Sequence, residues 1–221
     1  MNGCKKMVRG LSALLLTATL LFTGMMLPAK SWAVTSAPGV WDLMVFGNYD
    51  MVSPNNGDVF QNYATLPNVT TPTWKNQLNN GYGAGLGLAY WFNDTIAFRL
   101  MAQGNFFQAS SSALFKTTAS ESAPITGGFE AKLYGDTDYY VYALVDAGAA
   151  YELSLPNTSS PALSATGSTN AWSSYGDAGL GLNLDYVFVE VKVAYLMDFM
   201  PKSASSQNAF WYIPVTAGFN F

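Results

Sequence analysis

The sequence predicts an all-β fold, an antiparallel up-and-down transmembrane β-barrel of about eight strands. First, hydrophobic residues recur at every second position in segments longer than an ordinary globular strand. Second, long polar segments alternate with turns of two or three residues. Third, half of the 221 residues are hydrophobic and only 11% are charged. Beyond the N-terminal region, no segment approaches the run of about 20 apolar residues that a membrane helix needs.

The clearest alternation lies in a hairpin over residues 80–108. From Tyr82 to Phe92, bulky side chains share one parity and mostly glycines share the other. Asn93 and Asp94 form a tight turn, after which an apolar parity again opposes a polar one. Bulky residues outward and small or polar residues inward are typical of a transmembrane barrel. A buried sandwich or a lipocalin-like strand pair gives a similar alternation, so this hairpin alone leaves both folds open.

The N-terminus has the features of a secretory signal peptide. A positive region with Lys5, Lys6 and Arg9 precedes an apolar core over residues 11–27, and Ser31-Trp32-Ala33 has the small-x-small form of a cleavage site. We therefore predict cleavage after Ala33, with residues 1–33 as the signal peptide and residues 34–221 as the barrel domain. The single cysteine, Cys4, leaves with the signal, so no disulfide is expected.

The other strands follow from the same period of two. In the fifth strand, for example, Val141 and Val145 share the apolar parity, while Asp146 and Glu152 lie on the opposite one. In chain order, the predicted strands are Val40–Asp50, Tyr82–Phe92, Ile96–Gln108, Ile125–Gly135, Asp138–Ser154, Ala171–Asn183, Val187–Asp198 and Phe210–Phe221.

The connections are of two alternating kinds, long loops and minimal turns. Short periplasmic turns with longer outer loops are typical of an outer-membrane barrel and are not expected of a soluble sandwich. We therefore predict the outer membrane of a diderm bacterium as the location, its lipids as contacts, and both termini in the periplasm. The long polar loops are Met51–Asn79, Ala109–Pro124, Leu155–Asn170 and Met200–Ala209.

Parity places the charged residues of the predicted strands on the inner face. A Lys or Arg on the lipid face near the bilayer midplane would cost roughly 2–4 kcal/mol. In a barrel of this size, side chains nearly fill the interior. We therefore interpret Arg99, Lys132 and Lys192 as centres of a buried plug, with a proton or ion relay as the alternative. The predicted inner charges are Asp42, Arg99, Glu130, Lys132, Asp146, Glu152, Asp177, Asp185, Glu190, Lys192 and Asp198.

Composition disfavours several functions. Without the four basic residues of the signal peptide, six basic residues face 14 acidic ones, a net charge of −8. No Lys/Arg cluster remains, so nucleic acid is not an expected partner. The chain has no histidine, the usual base of membrane-barrel acylases and phospholipases. We predict no enzymatic activity, no cofactor and no metal site, because residues 34–221 lack Cys and His and their acidic residues are dispersed. A carboxylate-only glycosidase site stays open, although nothing places two carboxylates across a sugar.

The last strand resembles the small outer-membrane β-barrel family, which includes the OmpA transmembrane domain and OmpX- and OmpW-like proteins. The resemblance lies in the alternating hydrophobic residues of Val215–Phe221 and in the terminal aromatics Phe219 and Phe221. It implies that this strand is read by the outer-membrane assembly machinery. The chain departs from the family at Thr216, where glycine is usual, and at Pro214. Because proline lacks a backbone donor, we expect imperfect pairing of this strand with the first.

These observations lead to one functional hypothesis and two alternatives. The leading hypothesis is a non-enzymatic outer-membrane barrel with a charge-plugged lumen and long surface loops, in a structural or surface-interaction role. The first alternative is a narrow channel for small hydrophobic molecules, suggested by the inner-face glycines. The second alternative is a soluble lipocalin-like barrel. The glycines that suggest the channel are Gly83, Gly85, Gly87, Gly148, Gly179 and Gly181.

Overall fold

The computed structural model describes residues 38–53, 78–109, 120–156, 168–197 and 210–221. All described residues belong to one compact unit, Val34–Phe221. The predicted signal peptide, its cleavage site at Ala33 and most of the four predicted loops therefore lie outside the described residues. Nothing in the structure bears on the signal peptide, which stays a prediction.

Eight antiparallel strands form a closed barrel in which each strand pairs with its neighbours in the chain and β8 pairs with β1. The predicted fold class is confirmed. In the described part of the chain, no helix has the length and apolarity to cross a membrane. The strands are β1 (Trp41–Val52), β2 (Leu78–Trp91), β3 (Ile96–Ala109), β4 (Ser120–Gly135), β5 (Tyr139–Pro156), β6 (Ser168–Leu184), β7 (Val187–Met197) and β8 (Phe210–Asn220).

The three turns at one end of the barrel follow from local polar chemistry. In the β2–β3 turn, the Asn93 side-chain oxygen accepts hydrogen bonds from the backbone N–H groups of Thr95 and Ile96, both at 2.8 Å. In the β4–β5 turn, the Asp136 side-chain oxygen accepts hydrogen bonds from the backbone N–H groups of Asp138 and Tyr139. Asp185 closes the β6–β7 turn with a φ of 60°, a conformation that Asp tolerates better than most residues. These short connections fix the strand register.

The barrel closes between the first and last strands at the same end. The Phe221 N–H donates to the Leu43 carbonyl at 2.9 Å, and the Leu43 N–H donates to the Phe221 carbonyl at 3.0 Å. Phe219 points outward and is 55% exposed. These positions are compatible with the predicted assembly signal, which the structure does not test.

Pro214 interrupts a different strand pair from the predicted one. The β1–β8 register is continuous from Met44 to Val52 and includes the pair Asp50 and Pro214. In the β7–β8 pair, by contrast, partners run to Val191 and resume only at Ala194. The expectation of imperfect pairing with β1 is therefore wrong. The missing proline donor lies on the β7 side, because in an antiparallel ladder the backbone groups of successive residues point alternately to the two neighbours.

Several strands extend further towards the long loops than the sequence predicts. β4 begins at Ser120 rather than Ile125 and passes through Pro124, and β6 begins at Ser168 rather than Ala171. Polar Ser and Thr residues at the loop side of a strand give no hydrophobic signal, although their backbones continue the ladder. As a result, Glu121 falls on the outward parity of β4, half-buried beside Phe106 and Leu153 on the neighbouring strands.

The two faces of the barrel differ sharply in chemistry. Most of the outward face consists of exposed large hydrophobic residues such as Leu86, Val145 and Val191. The inward face combines two buried hydrophobic clusters with many polar groups. One cluster, with Trp91 and Phe188, lies towards the short turns, and the other, with Phe107 and Tyr212, lies towards the long loops. We refer to these as the turn side and the loop side of the lumen.

Candidate functional site

Arg99 is the centre of a buried ion network in the lumen. Its side chain is fully buried, and its Nη1 lies 2.8 Å from Glu190 Oε1 and 3.4 Å from Glu130 Oε2. Its Nε lies 3.9 Å from Asp146 Oδ2. These partners come from β7, β4 and β5, so a single guanidinium on β3 ties four strands together. Arginine suits this position because its planar fork donates in several directions and keeps its charge when buried.

Lys192 extends the network through a shared carboxylate. Its Nζ lies 3.3 Å from Glu190 Oε2 and 3.9 Å from Asp177 Oδ2. The Tyr142 hydroxyl donates to Glu190 Oε1 at 2.8 Å, and the Tyr175 hydroxyl donates to Asp177 Oδ2 at 2.8 Å. Glu190 therefore joins both cations and a tyrosine. If one member of such a buried network is removed, the remaining members keep a charge that nothing balances, in a medium of low dielectric constant.

Inner-face glycines allow these side chains to meet. In the strand register, Gly181 lies between Tyr142 on β5 and Glu190 on β7, which hydrogen-bond to each other across it. Gly128 lies in the same way between Arg99 and Asp146. A Cβ at Gly181 would collide with the Tyr142 ring. The glycine therefore leaves room for two large side chains, one from each of the strands that flank it, to contact each other.

The same arrangement recurs outside the ion network. Gly83 lies between Asn48 and Asn105, and the Asn48 amide donates to Asn105 Oδ1 at 3.2 Å over it. Gly218 lies between Phe46 and Phe188, whose ring centroids are 6.3 Å apart. At all six glycines that suggest a channel, an added Cβ would lie within 3.0 Å of another group. At Gly83, Gly85, Gly87 and Gly181 these groups include side chains of the neighbouring strands, a packing that favours a filled lumen there, whereas Gly148 is exposed.

The loop side of the lumen holds a second set of polar side chains, of which only Glu152 is among the predicted inner charges. The Asn48 amide donates to Asp50 Oδ1 at 2.6 Å, and the Asn105 amide donates to the Tyr212 hydroxyl at 3.0 Å. Asp50 is fully buried. Its parity matches that of Asp42 and Asn48 within the predicted strand Val40–Asp50, yet the predicted inner charges do not include it. Glu152, also fully buried, accepts a hydrogen bond from the Ser122 hydroxyl at 2.7 Å.

The turn side of the lumen ends in an aromatic cap. The Trp91 indole N–H donates to Asp42 Oδ2 at 2.7 Å. The Lys132 ammonium lies 5.4 Å from the Trp91 ring centroid and 4.7 Å from that of Tyr140, within cation–π range. This Nζ also donates to the Asp136 carbonyl at 2.8 Å. Trp91, Tyr140 and Lys132 form this aromatic cap, which covers the lumen at the end of the barrel that carries the short turns.

Two residues predicted inside the plug lie elsewhere. Lys132 is half-buried at the turn side rather than at a plug centre, because it lies only three residues before the end of β4 at Gly135. Asp185 is a turn residue, and its backbone N–H donates to the Asp138 carbonyl at 2.6 Å. Lys132 therefore contacts the aromatic rings of the turn side and Asp185 lies in a turn, and neither has an ion pair with Arg99 or Lys192 within the described residues. Asp198 lies outside the described residues.

The other predicted inner charges are buried in the lumen, in two different environments. Six of them form the ion network, and Asp42 and Glu152 hydrogen-bond only to neutral donors. Within the described residues, no three Asp, Glu, Cys or His side chains gather closely enough to hold a metal ion. The network members are Arg99, Glu130, Asp146, Asp177, Glu190 and Lys192.

Comparisons with known proteins find similar structures but no similar family model or curated sequence. No protein-family model matches the chain, and no curated protein matches it. The outer membrane protein OprG of Pseudomonas aeruginosa has a TM-score of 0.46 at 15% identity, over 85% of this chain and 99% of that one. Ail, the attachment invasion locus protein of Yersinia pestis, has a TM-score of 0.46 at 14% identity, over 84% of this chain and all of that one.

A third similar structure is that of the outer membrane protein AlkL in lipid bilayers. Its TM-score is 0.44 at 15% identity, over 88% of this chain and 94% of that one. The predicted resemblance is to small outer-membrane β-barrels of this kind. At these identities the similarity is one of fold.

Proposed function

We propose that this chain is an integral outer-membrane β-barrel protein without enzymatic activity. Its lumen is closed by the Arg99 network, and its loop-side segments meet partners or surfaces outside the cell. The observation that carries this proposal is the inverted distribution of side chains. Buried charges fill the inside of the barrel, while large hydrophobic residues cover most of its outside.

The outward face supports embedding in lipid. Residues such as Leu86, Ile125 and Val191 are more than half exposed, and similar side chains surround the barrel. Soluble monomers rarely expose a continuous apolar surface of this extent. The one outward carboxylate in the described strands, Glu121, lies at the loop end of β4, where headgroups and water are close. This distribution disfavours the soluble lipocalin-like alternative.

The lumen supports a scaffold role over a channel for small hydrophobic molecules. The Arg99 network joins β3, β4, β5 and β7, with Lys192, Tyr142 and Asp177 attached to it. Of the inner glycines that suggested a cavity, Gly83, Gly85, Gly87 and Gly181 have side chains of neighbouring strands where a Cβ would be. A rigid closed barrel leaves the long loops as the variable part, where binding functions concentrate on such scaffolds.

Site-specific labelling tests whether the barrel is embedded. Residues 34–221 contain no cysteine, so Leu86→Cys and Val191→Cys introduce unique thiols on the outward face, and Asp94→Cys introduces one in a turn. In lipid vesicles, we expect the two outward thiols to react with a lipid-soluble maleimide and to resist a charged one. The turn thiol should react with both. Equal reactivity of all three towards the charged reagent would refute embedding.

Loop replacement tests the surface role. We expect substitution of residues 55–76 by a Gly/Ser linker of equal length to reduce attachment of cells to surfaces or host components while the barrel still assembles. The matched control replaces residues 158–166 in the same way. If replacement of all four long segments left every surface phenotype unchanged, the interaction role would be lost and the structural role would remain.

A further inference from the structure

The carboxylates of the lumen fall into two groups that differ in how their charge is balanced. Glu130, Asp146, Asp177 and Glu190 each lie within 4.0 Å of Arg99 or Lys192. Asp50 and Glu152, on the loop side, have no such ion pair among the described residues. Each is fully buried and accepts one hydrogen bond from a neutral donor, Asn48 or Ser122.

Among the described residues, the second oxygen of each loop-side carboxylate has no hydrogen-bond partner. These atoms are Asp50 Oδ2 and Glu152 Oε2, both buried on the inner face of the barrel. Both carboxylates act electrostatically on the Tyr212 hydroxyl, which therefore lies in the field of each. Lys192 also acts on Asp50, but its close ion pairs are with Glu190 and Asp177. The loop side thus carries two carboxylates without a dedicated cation.

We propose that the loop side of the lumen binds small monovalent cations such as Na⁺ or K⁺ at Asp50 and Glu152. An ionised carboxylate in a low-dielectric interior needs a compensating charge, and the described lumen has seven buried carboxylates for two buried cations. The Asn48 side chain contacts Asp50, and the Ser122 hydroxyl contacts Glu152, so each carboxylate has a neutral oxygen-bearing side chain beside it.

The chemistry of the sites favours monovalent over divalent ions. Calcium takes six to eight oxygen ligands, usually with several carboxylates at one point. In the described residues no three acidic side chains converge in that way. One carboxylate with neutral oxygens around it provides a single negative charge, which one monovalent cation balances.

Unfolding in different salts tests this inference. The protein is purified from membranes in a neutral detergent, and its thermal unfolding midpoint is followed by circular dichroism at constant pH and ionic strength. We expect the midpoint to be a few degrees higher in NaCl or KCl than in N-methyl-D-glucamine chloride, because an ion that binds only the folded barrel stabilises it. The bulky organic cation is too large for the packed lumen.

Two variants make the test specific. In the double variant Asp50→Asn, Glu152→Gln, the difference between salts should disappear, and the midpoint in N-methyl-D-glucamine chloride should exceed that of the wild type. Asp94→Asn removes one charge at an exposed turn and should keep the wild-type difference. Equal wild-type midpoints in all three salts would overturn the inference and would indicate neutralisation by protons. A salt difference that survives in the double variant would also overturn it. If the double variant did not fold, the wild-type comparison would still decide.

Discussion

The inner and outer faces of this barrel are made by alternate residues of the same strands, yet they obey opposite rules. On β7, Val189, Val191 and Val193 are exposed on the outside, while Glu190 and Lys192 are buried inside. Glycines differ in the same way. Gly181 on the inner face is covered by Tyr142, whereas Gly104 on the outer face has open space where a Cβ would be. The effect of a given substitution should therefore differ between the two parities of one strand.

The largest effect is expected from removal of the acid that the two inner cations share. Glu190→Ala leaves Arg99 and Lys192 without their closest carboxylate, and removal of one partner from a buried ion pair costs about 3–5 kcal/mol. Urea unfolding in lipid vesicles measures the loss. Glu190→Gln should lose less, since it keeps an acceptor for Tyr142. A loss no greater than that of the exposed control Asp94→Ala would mean that the network contributes little to stability.

On the outer face, the damaging change is an added charge. Leu86→Arg places a cation near the middle of β2 on the lipid-facing parity, at a cost of roughly 2–4 kcal/mol. Tyr134→Arg, at the turn end of β4, should cost only about 0–1 kcal/mol because the interface is close. The same unfolding assay compares them. Equal effects at the two depths would argue against a bilayer around the barrel.

The two classes of glycine give a third and smaller contrast. Gly181→Ala forces Tyr142 away from Glu190, and overpacking of this kind costs about 1–3 kcal/mol. Gly104→Ala meets no other group and should be neutral or stabilising by about 0.4–1 kcal/mol, through a less flexible unfolded chain. A destabilised Gly104→Ala with an unchanged Gly181→Ala would reverse the assignment of the two faces.

The smallest effect is expected at a turn, outside both faces. Backbone N–H groups of Tyr139 and Asp138 donate to Asp136 and hold the pKa of its carboxyl below the usual 3.8. The ionised form is therefore favoured by folding. Its contribution to stability is present above the ordinary pKa of an aspartate and is lost as the pH falls through the lowered pKa. An NMR titration of the Asp136 carboxyl carbon checks this. A midpoint at or above 3.8 would contradict the hydrogen bonds of the turn.

The sequence was sufficient for the fold because the period of two reports directly which face a residue occupies. It predicted the eight strands, the antiparallel order and the burial of Arg99, Glu130 and Glu190. Strand ends were less predictable, because Ser, Thr and Pro near the loops carry no hydrophobic signal although the ladder continues through Ser120 and Pro124.

Contacts inside the lumen could not be predicted from parity. Parity does not give the height of a residue in the barrel, which depends on the stagger between strands. Arg99 and Glu190 meet across 91 positions of sequence, and parity does not distinguish them from Lys132, which lies at the turn end of β4. To predict which glycines separate two side chains that contact each other, one needs the register of three adjacent strands, and the sequence does not provide it.

The central claim is that the Arg99 network closes the lumen, and single-channel recording in a planar bilayer tests it most directly. The protein purified from membranes would be compared with Arg99→Ala. The network predicts a silent wild type and measurable conductance for the variant, because the guanidinium that ties β3 to β4, β5 and β7 is gone. Steady conductance of the wild type would contradict the claim and would favour a channel.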